Sequence, residues 1–353
     1  MKKERIASFD FIRGLCALLI VLYHTVGVFQ LNPVWDNFPI KAENPAGNWS
    51  ISIVAVFFMI SGASLYYNYP KIERAGLIPF YFKRWKSLFP AFFLVWFINY
   101  IGGVVSHHNF FFNADPKYMI LSFFGLDGYF YYLHPNYYSV GEWFLGAIVL
   151  LYALYPLLLF LFNRIKWIIT AILGVIFVLI MLFNPFVIEK SQNLLVCMFS
   201  FWLGMLYIRY REQLKKHSWI GLLCIVPYIL FEFVPMPFDH DLAMKIASVP
   251  LFLFLDWLSD YLFKAPPVKS FFLFSSAISY EIFLVHHVLI SKYINLVSTN
   301  GTYLMNFMDE LLITLLIFLI TFLYAKALSL LIKAFVGTKL WKKIEGVFVK
   351  QTT

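Results

Sequence analysis

Charge is scarce in this chain. Asp, Glu, Lys and Arg make up 13% of its 353 residues, about half the share carried by soluble globular domains. No stretch is long enough or polar enough for a separate soluble domain, and no low-complexity linker or internal repeat divides the sequence. Cysteine is rarer still: Cys16, Cys197 and Cys224 are odd in number and each falls in an apolar run. They read as small buried hydrophobes, and no disulfide or cysteine metal framework is indicated. What is present in excess is apolar: 61% hydrophobic and 21% aromatic residues with a mean hydropathy of +0.75. The apolar residues come in successive runs of membrane-crossing length. The fold class is therefore all-α, a polytopic transmembrane helix bundle.

Ten spans are expected, at about 8–24, 51–67, 88–105, 143–162, 167–186, 193–207, 219–234, 244–262, 271–291 and 311–335. The net charge of +9 could point to nucleic acid, but the basic residues sit between apolar runs, where the positive-inside rule accounts for them. Lys2, Lys3, Arg5, Lys71, Arg74, Lys83, Arg84, Lys86, Arg209, Arg211, Lys215, Lys216, Lys339, Lys342, Lys343 and Lys350 all fall on one set of alternate connections. The other set holds only Lys41, Lys117, Lys190, Lys245 and Lys292, together with acids such as Asp36, Asp115 and Asp239. Both termini are accordingly expected in the cytoplasm. The first apolar run is read as a retained span, because Asp10, Arg13 and His24 interrupt it and no small-residue cleavage site follows. Residues 1–338 form one transmembrane domain and 339–353 a short basic cytoplasmic tail suited to the membrane surface. The aromatic stretch 118–133 is a candidate re-entrant element.

Ionisable groups inside a membrane helix are costly and rare, which makes them functional candidates. Arg13 and His24 are eleven positions apart, so on a helix they project within roughly 20° of each other and lie about 16 Å apart along the axis. Asp10 falls about 40° off the same line. In the ninth span His286 stands at a depth matching His24, with Ser279 one heptad earlier on the same face. Two imidazoles in the outer half and a guanidinium- and ammonium-rich cytoplasmic mouth suit a phosphorylated donor arriving from inside. Each residue also has a plainer reading. Asp10 and Arg13 could be an edge ion pair, His24 a satisfied core histidine, and the Arg84 cluster a topology determinant. His107-His108 suits an interfacial pair, since no third metal ligand is indicated nearby. The tyrosines at 129–138 suit an interfacial belt.

Five ordered motifs resemble the acyltransferase-3 family of membrane acyltransferases. They are D-x-x-R-G with a downstream His (Asp10, Arg13, Gly14, His24) and F-F-x-x-S-G (Phe57, Phe58, Ser61, Gly62). A basic helix start leading to a proline follows (Arg84, Pro90), then W-x-L…Y-x-x-x-P (Trp143, Leu145, Tyr152, Pro156) and I-S-Y-x-x-x-L-x-H (Ile278, Ser279, Tyr280, Leu284, His286). The chain departs from the family in having Ser87, beside Lys86, where a second arginine is common, and Ile148 where many members carry an acid. It is similar to members without an extra soluble esterase-like domain.

The resemblance implies transfer of acetyl or another short acyl group from cytoplasmic acyl-CoA to a hydroxyl of an extracytoplasmic cell-envelope polysaccharide or lipid-linked oligosaccharide. The protein would be multi-pass in a bacterial plasma membrane. His24, Arg13, Asp10 and His286 are then expected in catalysis; Arg84, Lys83, Lys86, Ser61 and Gly62 at the donor; and Glu142, Trp143, Ser279 and Tyr280 at the acceptor. Membrane lipid is an implied partner, acetyl-CoA the donor substrate, and no metal or nucleic acid is implied. His24 would act as general base or carry the acyl group covalently. The competing functions are acylation of a small cytoplasmic metabolite and a polytopic transporter or flippase of glycan precursors, which inverted repeats or paired broken helices would favour.

Overall fold

The computed structural model describes residues 4–31, 38–44, 47–112, 114–298 and 306–349. Lys2, Lys3, Asp36 and Lys350 lie outside them. Fourteen α-helices follow one another among the described residues, with one two-residue antiparallel pairing, Glu43–Asn44 with Gly47–Asn48, between the first two. In order they are α1 (Ala7–Gln30), α2 (Ser50–Asn68), α3 (Leu77–His107), α4 (Met119–Phe123), α5 (Asp127–Phe130), α6 (Glu142–Phe183) and α7 (Leu194–Lys216). There follow α8 (Ile220–Leu223), α9 (Ile225–Phe233), α10 (His240–Leu262), α11 (Pro266–Ala277), α12 (Ser279–Ser298), α13 (Phe307–Val336) and α14 (Lys339–Val349).

Seven of these are long and apolar enough to cross a membrane, and the bent pair α11–α12 makes an eighth. The expected fourth and fifth spans are continuous in α6, whose Ile165 has non-helical torsions (φ −137°, ψ 37°). The expected seventh span is the pair of short helices α8 and α9. The ninth span differs most from expectation. It is broken at Ile278, and its halves meet at 71°. Serine hydroxyls satisfy the carbonyls around the break: Ser275 donates to the Phe271 carbonyl (3.0 Å) and Ser279 to that of Ser276 (2.9 Å). Such back-bonding bends helices and meets the demand that no backbone polar group be orphaned in lipid.

The chain divides into two compact units, Met1–Asn68 with Thr170–Phe322, and Tyr69–Ile169 with Leu323–Thr353. In the first unit α1 packs against α2, α10, α11 and α12, and α2 lies along α7. The α2–α7 crossing is reciprocal. A Cβ on Gly62 would fall 1.9 Å from the Phe201 carbonyl oxygen, and one on Gly204 the same distance from that of Met59. Small residues drive such approaches because dispersion between helices replaces the hydrophobic effect in lipid. Phe9, Phe11, Ile12, Cys16, Ile53, Val56, Met59, Phe252 and Leu255 fill the core around it.

In the second unit α3 begins three turns before the expected span and carries Lys83, Arg84 and Lys86 within helix. The loop before α6 is tied to α3 by the Trp96 indole, which donates to the Tyr137 carbonyl (3.0 Å). The tail is helical over its described residues. In α14, Trp341 stacks on Trp85 (centroids 5.8 Å) and Phe348 on Phe82 (4.7 Å), while Glu345 accepts two bonds from Lys86 (2.8 and 2.7 Å).

Candidate functional site

The polar stripe read from the sequence is present on α1, and its two ends have different surroundings. At the N-terminal end the Asp10 carboxylate is buried and accepts two bonds from the exposed Arg5 guanidinium (2.5 and 2.7 Å) and one from the Ser276 hydroxyl of α11 (2.8 Å). One turn on, Gly14 lets the helices close. A Cβ there would sit 3.1 Å from the Phe272 carbonyl oxygen and 3.2 Å from the Ser275 Cβ. Phe11 meets Phe272 edge-on at 4.7 Å. Arg13 points to α2, donating to the Ser64 hydroxyl (3.2 Å). Of the D-x-x-R-G run, then, Asp10 and Gly14 serve the seat of α11.

Three turns further along α1 the neighbours change to imidazoles. The bend at Ile278 carries α12 across the C-terminal half of α1, bringing His286 and His287 to His24. Ring centroids lie 3.9 Å apart for His24 and His287, 5.2 Å for His24 and His286, and 4.6 Å for His286 and His287. His286 is fully buried, whereas His24 and His287 keep partial exposure. The His286 Nδ1 is 2.7 Å from the Phe283 carbonyl oxygen. A carbonyl only accepts, so Nδ1 carries a proton. Tyr23 forms one wall, packing edge-on against His24 (5.0 Å) and Trp49 (5.3 Å) and accepting from the Asn48 side chain (2.7 Å). A buried, partly accessible imidazole with aromatic walls can take a proton from a hydroxyl and return it to a leaving group.

The remaining candidates on this unit are near one or other end. Ser279 begins α12 and is buried in the helix break, and Tyr280 follows it. Ser61 is partly buried on α2. Gly62, expected at the donor, is occupied by the α7 crossing. The sequence reading left His287 unassigned, although it stands closer to His24 than His286 does. Nothing in the pattern of a continuous helix places positions 286 and 287 on one neighbour, because they diverge by about 100°.

On the second unit, the Arg84 guanidinium lies over the rings of Tyr69 (5.4 Å) and Tyr152 (5.9 Å). Two motif residues far apart in sequence, Arg84 and Tyr152, thus come together, joined by Tyr69, which no motif flagged. Tyr155 ties the same region by donating to the Tyr69 carbonyl (2.8 Å). A guanidinium held against aromatic faces is oriented while keeping donors for an anion. Lys83 is exposed, and Lys86 is engaged by Glu345. Glu142 opens α6 with a left-handed backbone (φ 42°) directly after Gly141 (φ 89°). A non-glycine residue in that region costs on the order of 1 kcal/mol and marks a position fixed by its surroundings. Gly128 is one such constraint, since a Cβ on it would lie 2.4 Å from the Glu142 carbonyl oxygen. Nearby Asp127 is buried, and burial pushes its carboxyl up to about 6. Trp143 packs edge-on against Phe144 (6.3 Å).

Compared with known proteins, the chain matches a family model described as an acyltransferase domain over residues 6–331. No curated protein and no solved structure matches it. The match covers nearly the whole sequence, and the chain belongs to the acyltransferase-3 family. It is a multi-pass membrane acyltransferase.

Proposed function

We propose that this membrane acyltransferase moves an acetyl or other short acyl group from acyl-CoA to a hydroxyl of an extracytoplasmic cell-envelope glycan. The observation that carries the reading is His24, set among imidazoles and aromatic rings within a helix of a family that transfers acyl groups. His24 takes the proton of the acceptor hydroxyl as the oxygen bonds to the thioester carbonyl carbon. The carbon–sulfur bond then breaks, and the imidazolium returns its proton to the departing thiolate. His286, its tautomer fixed by the Phe283 carbonyl, supports the basic form of the cluster. Arg13 on the first unit, and Arg84 with its chain neighbour Lys83 on the second, are the groups suited by charge to the donor's phosphates and pyrophosphate. Glu142, Trp143, Ser279 and Tyr280 contact the acceptor, a carboxylate and aromatic rings being suited to sugar hydroxyls and ring faces. Asp10 acts at one remove, by seating α11.

Mass spectrometry of envelope glycans from a deletion strain tests this, with wild-type and His24→Ala chains returned at equal expression. The expected result is an acyl increment lost on deletion, restored by wild type and not by the variant. Restoration by His24→Ala would reject the base, and an unchanged glycan profile on deletion would reject the acceptor class. Among the described residues one apolar helix pair is bent by more than 40° at a break, the one at Ile278, which does not favour a transporter, whose sites use paired broken helices.

A further inference from the structure

Removing a proton from an alcohol takes one imidazole, and three converge here. His24, His286 and His287 each offer a ring nitrogen, and these atoms lie within 4.8 Å of one another. The set has the features of a built metal site. His286 donates its Nδ1 proton to a backbone carbonyl, the outer-shell bond that fixes ring orientation and frees Nε2 in metal-ligating histidines.

We propose that His24, His286 and His287 bind one divalent transition-metal ion of imidazole preference, Zn²⁺ or a neighbour in that series. Three imidazoles do not suit Mg²⁺ or Ca²⁺, which take oxygen ligands. With zinc–nitrogen bonds of about 2.0–2.1 Å, a tetrahedral ion needs its ligand atoms roughly 3.4 Å apart. Binding therefore requires the two partly exposed rings, His24 and His287, to rotate toward His286. The ion takes the same lone pair that His24 uses as a base, so occupancy holds acyl transfer off. That consequence rests on the proposed function; the binding does not. His287, absent from the family motif quoted above, is what turns a histidine pair into a chelating set.

The test uses the full chain in detergent, stripped with a chelator and titrated calorimetrically with Zn²⁺ in the absence of any acyl donor. One equivalent should bind to wild type, at least tenfold more weakly to His287→Ala and His287→Gln, and normally to His108→Ala. Thermal unfolding of each apo variant separates lost binding from lost folding, and Co²⁺ substitution should give the visible bands of a low-coordinate nitrogen site in wild type and His108→Ala but not in the His287 variants. Absence of stoichiometric binding, or equal affinity in wild type and both His287 variants, overturns the proposal. Acyl transfer assayed with and without Zn²⁺ reads the consequence separately: tight binding with undiminished transfer would remove His24 as the base while leaving the metal site standing.

Discussion

The two halves of the broken ninth span rest on the same helix and do different work. The α11 contact with α1 is tight and closed. Gly14 admits the Phe272 backbone, Phe11 packs on Phe272, and Asp10 is fully engaged by Arg5 and Ser276. The α12 contact, beyond a 71° bend, is a meeting of imidazoles, two of which are partly exposed. One half seats the helix pair, and the other carries the histidines proposed for the chemistry. Had the span run straight, both halves could not have followed α1 with these partners.

Substitutions can break that division of labour or sharpen it. The largest effect is expected from His24→Ala, which should lower acyl transfer by about 10²–10⁴-fold, the usual contribution of a positioned base, with unfolding temperature in detergent unchanged. Turnover within a few-fold of wild type would show that the α12 end is also only structural. Asp10→Ala should act in the opposite sense, on stability. It removes charge-assisted hydrogen bonds typically contributing about 1.5–3 kcal/mol, and activity should fall only with the folded fraction. A large loss of turnover in fully folded protein would give the α11 end a chemical role. Gly14→Val overpacks the same contact at a cost of about 1–3 kcal/mol, and a normal melting temperature there would mean that α11 is free to shift.

The smallest effect serves as a reference away from both halves. Asp239 caps α10 by accepting from the Leu242 amide (3.1 Å) and pairs with Lys190. Partial burial raises its carboxyl, but the Lys190 pairing outweighs this and leaves it below the usual range. The pairing therefore stabilises the fold above the unfolded-state value near 4 and is lost as pH falls through the folded-state value. Asp239→Asn keeps the cap and should flatten that acid limb with little change at pH 7. An unflattened limb would place the acid sensitivity elsewhere.

Much of this was legible in the chain because membranes make polarity conspicuous. Arg13, His24 and His286 stand out against apolar runs, and their depth matching follows from helical rise alone. The break at Ile278 was not legible. Ile-Ser-Tyr is compatible with uninterrupted helix, and the serines declare themselves only when their hydroxyls are seen bonded to carbonyls. The pairing of Lys86 was not legible either, because Glu345 lies 259 residues away, a separation no local pattern bridges. Tyr69, which joins Arg84 to Tyr152, precedes the second unit's first helix and was one tyrosine among many.

The crossing at Gly62 and Gly204 bears on how such a chain can drift. The nearest atoms to each glycine belong to the other helix's main chain. A larger residue at either position therefore has no companion substitution that could make room, since every amino acid brings the same carbonyl. Inheritance at these two sites is all or nothing, and a lineage that loses one glycine must re-space two helices to survive it.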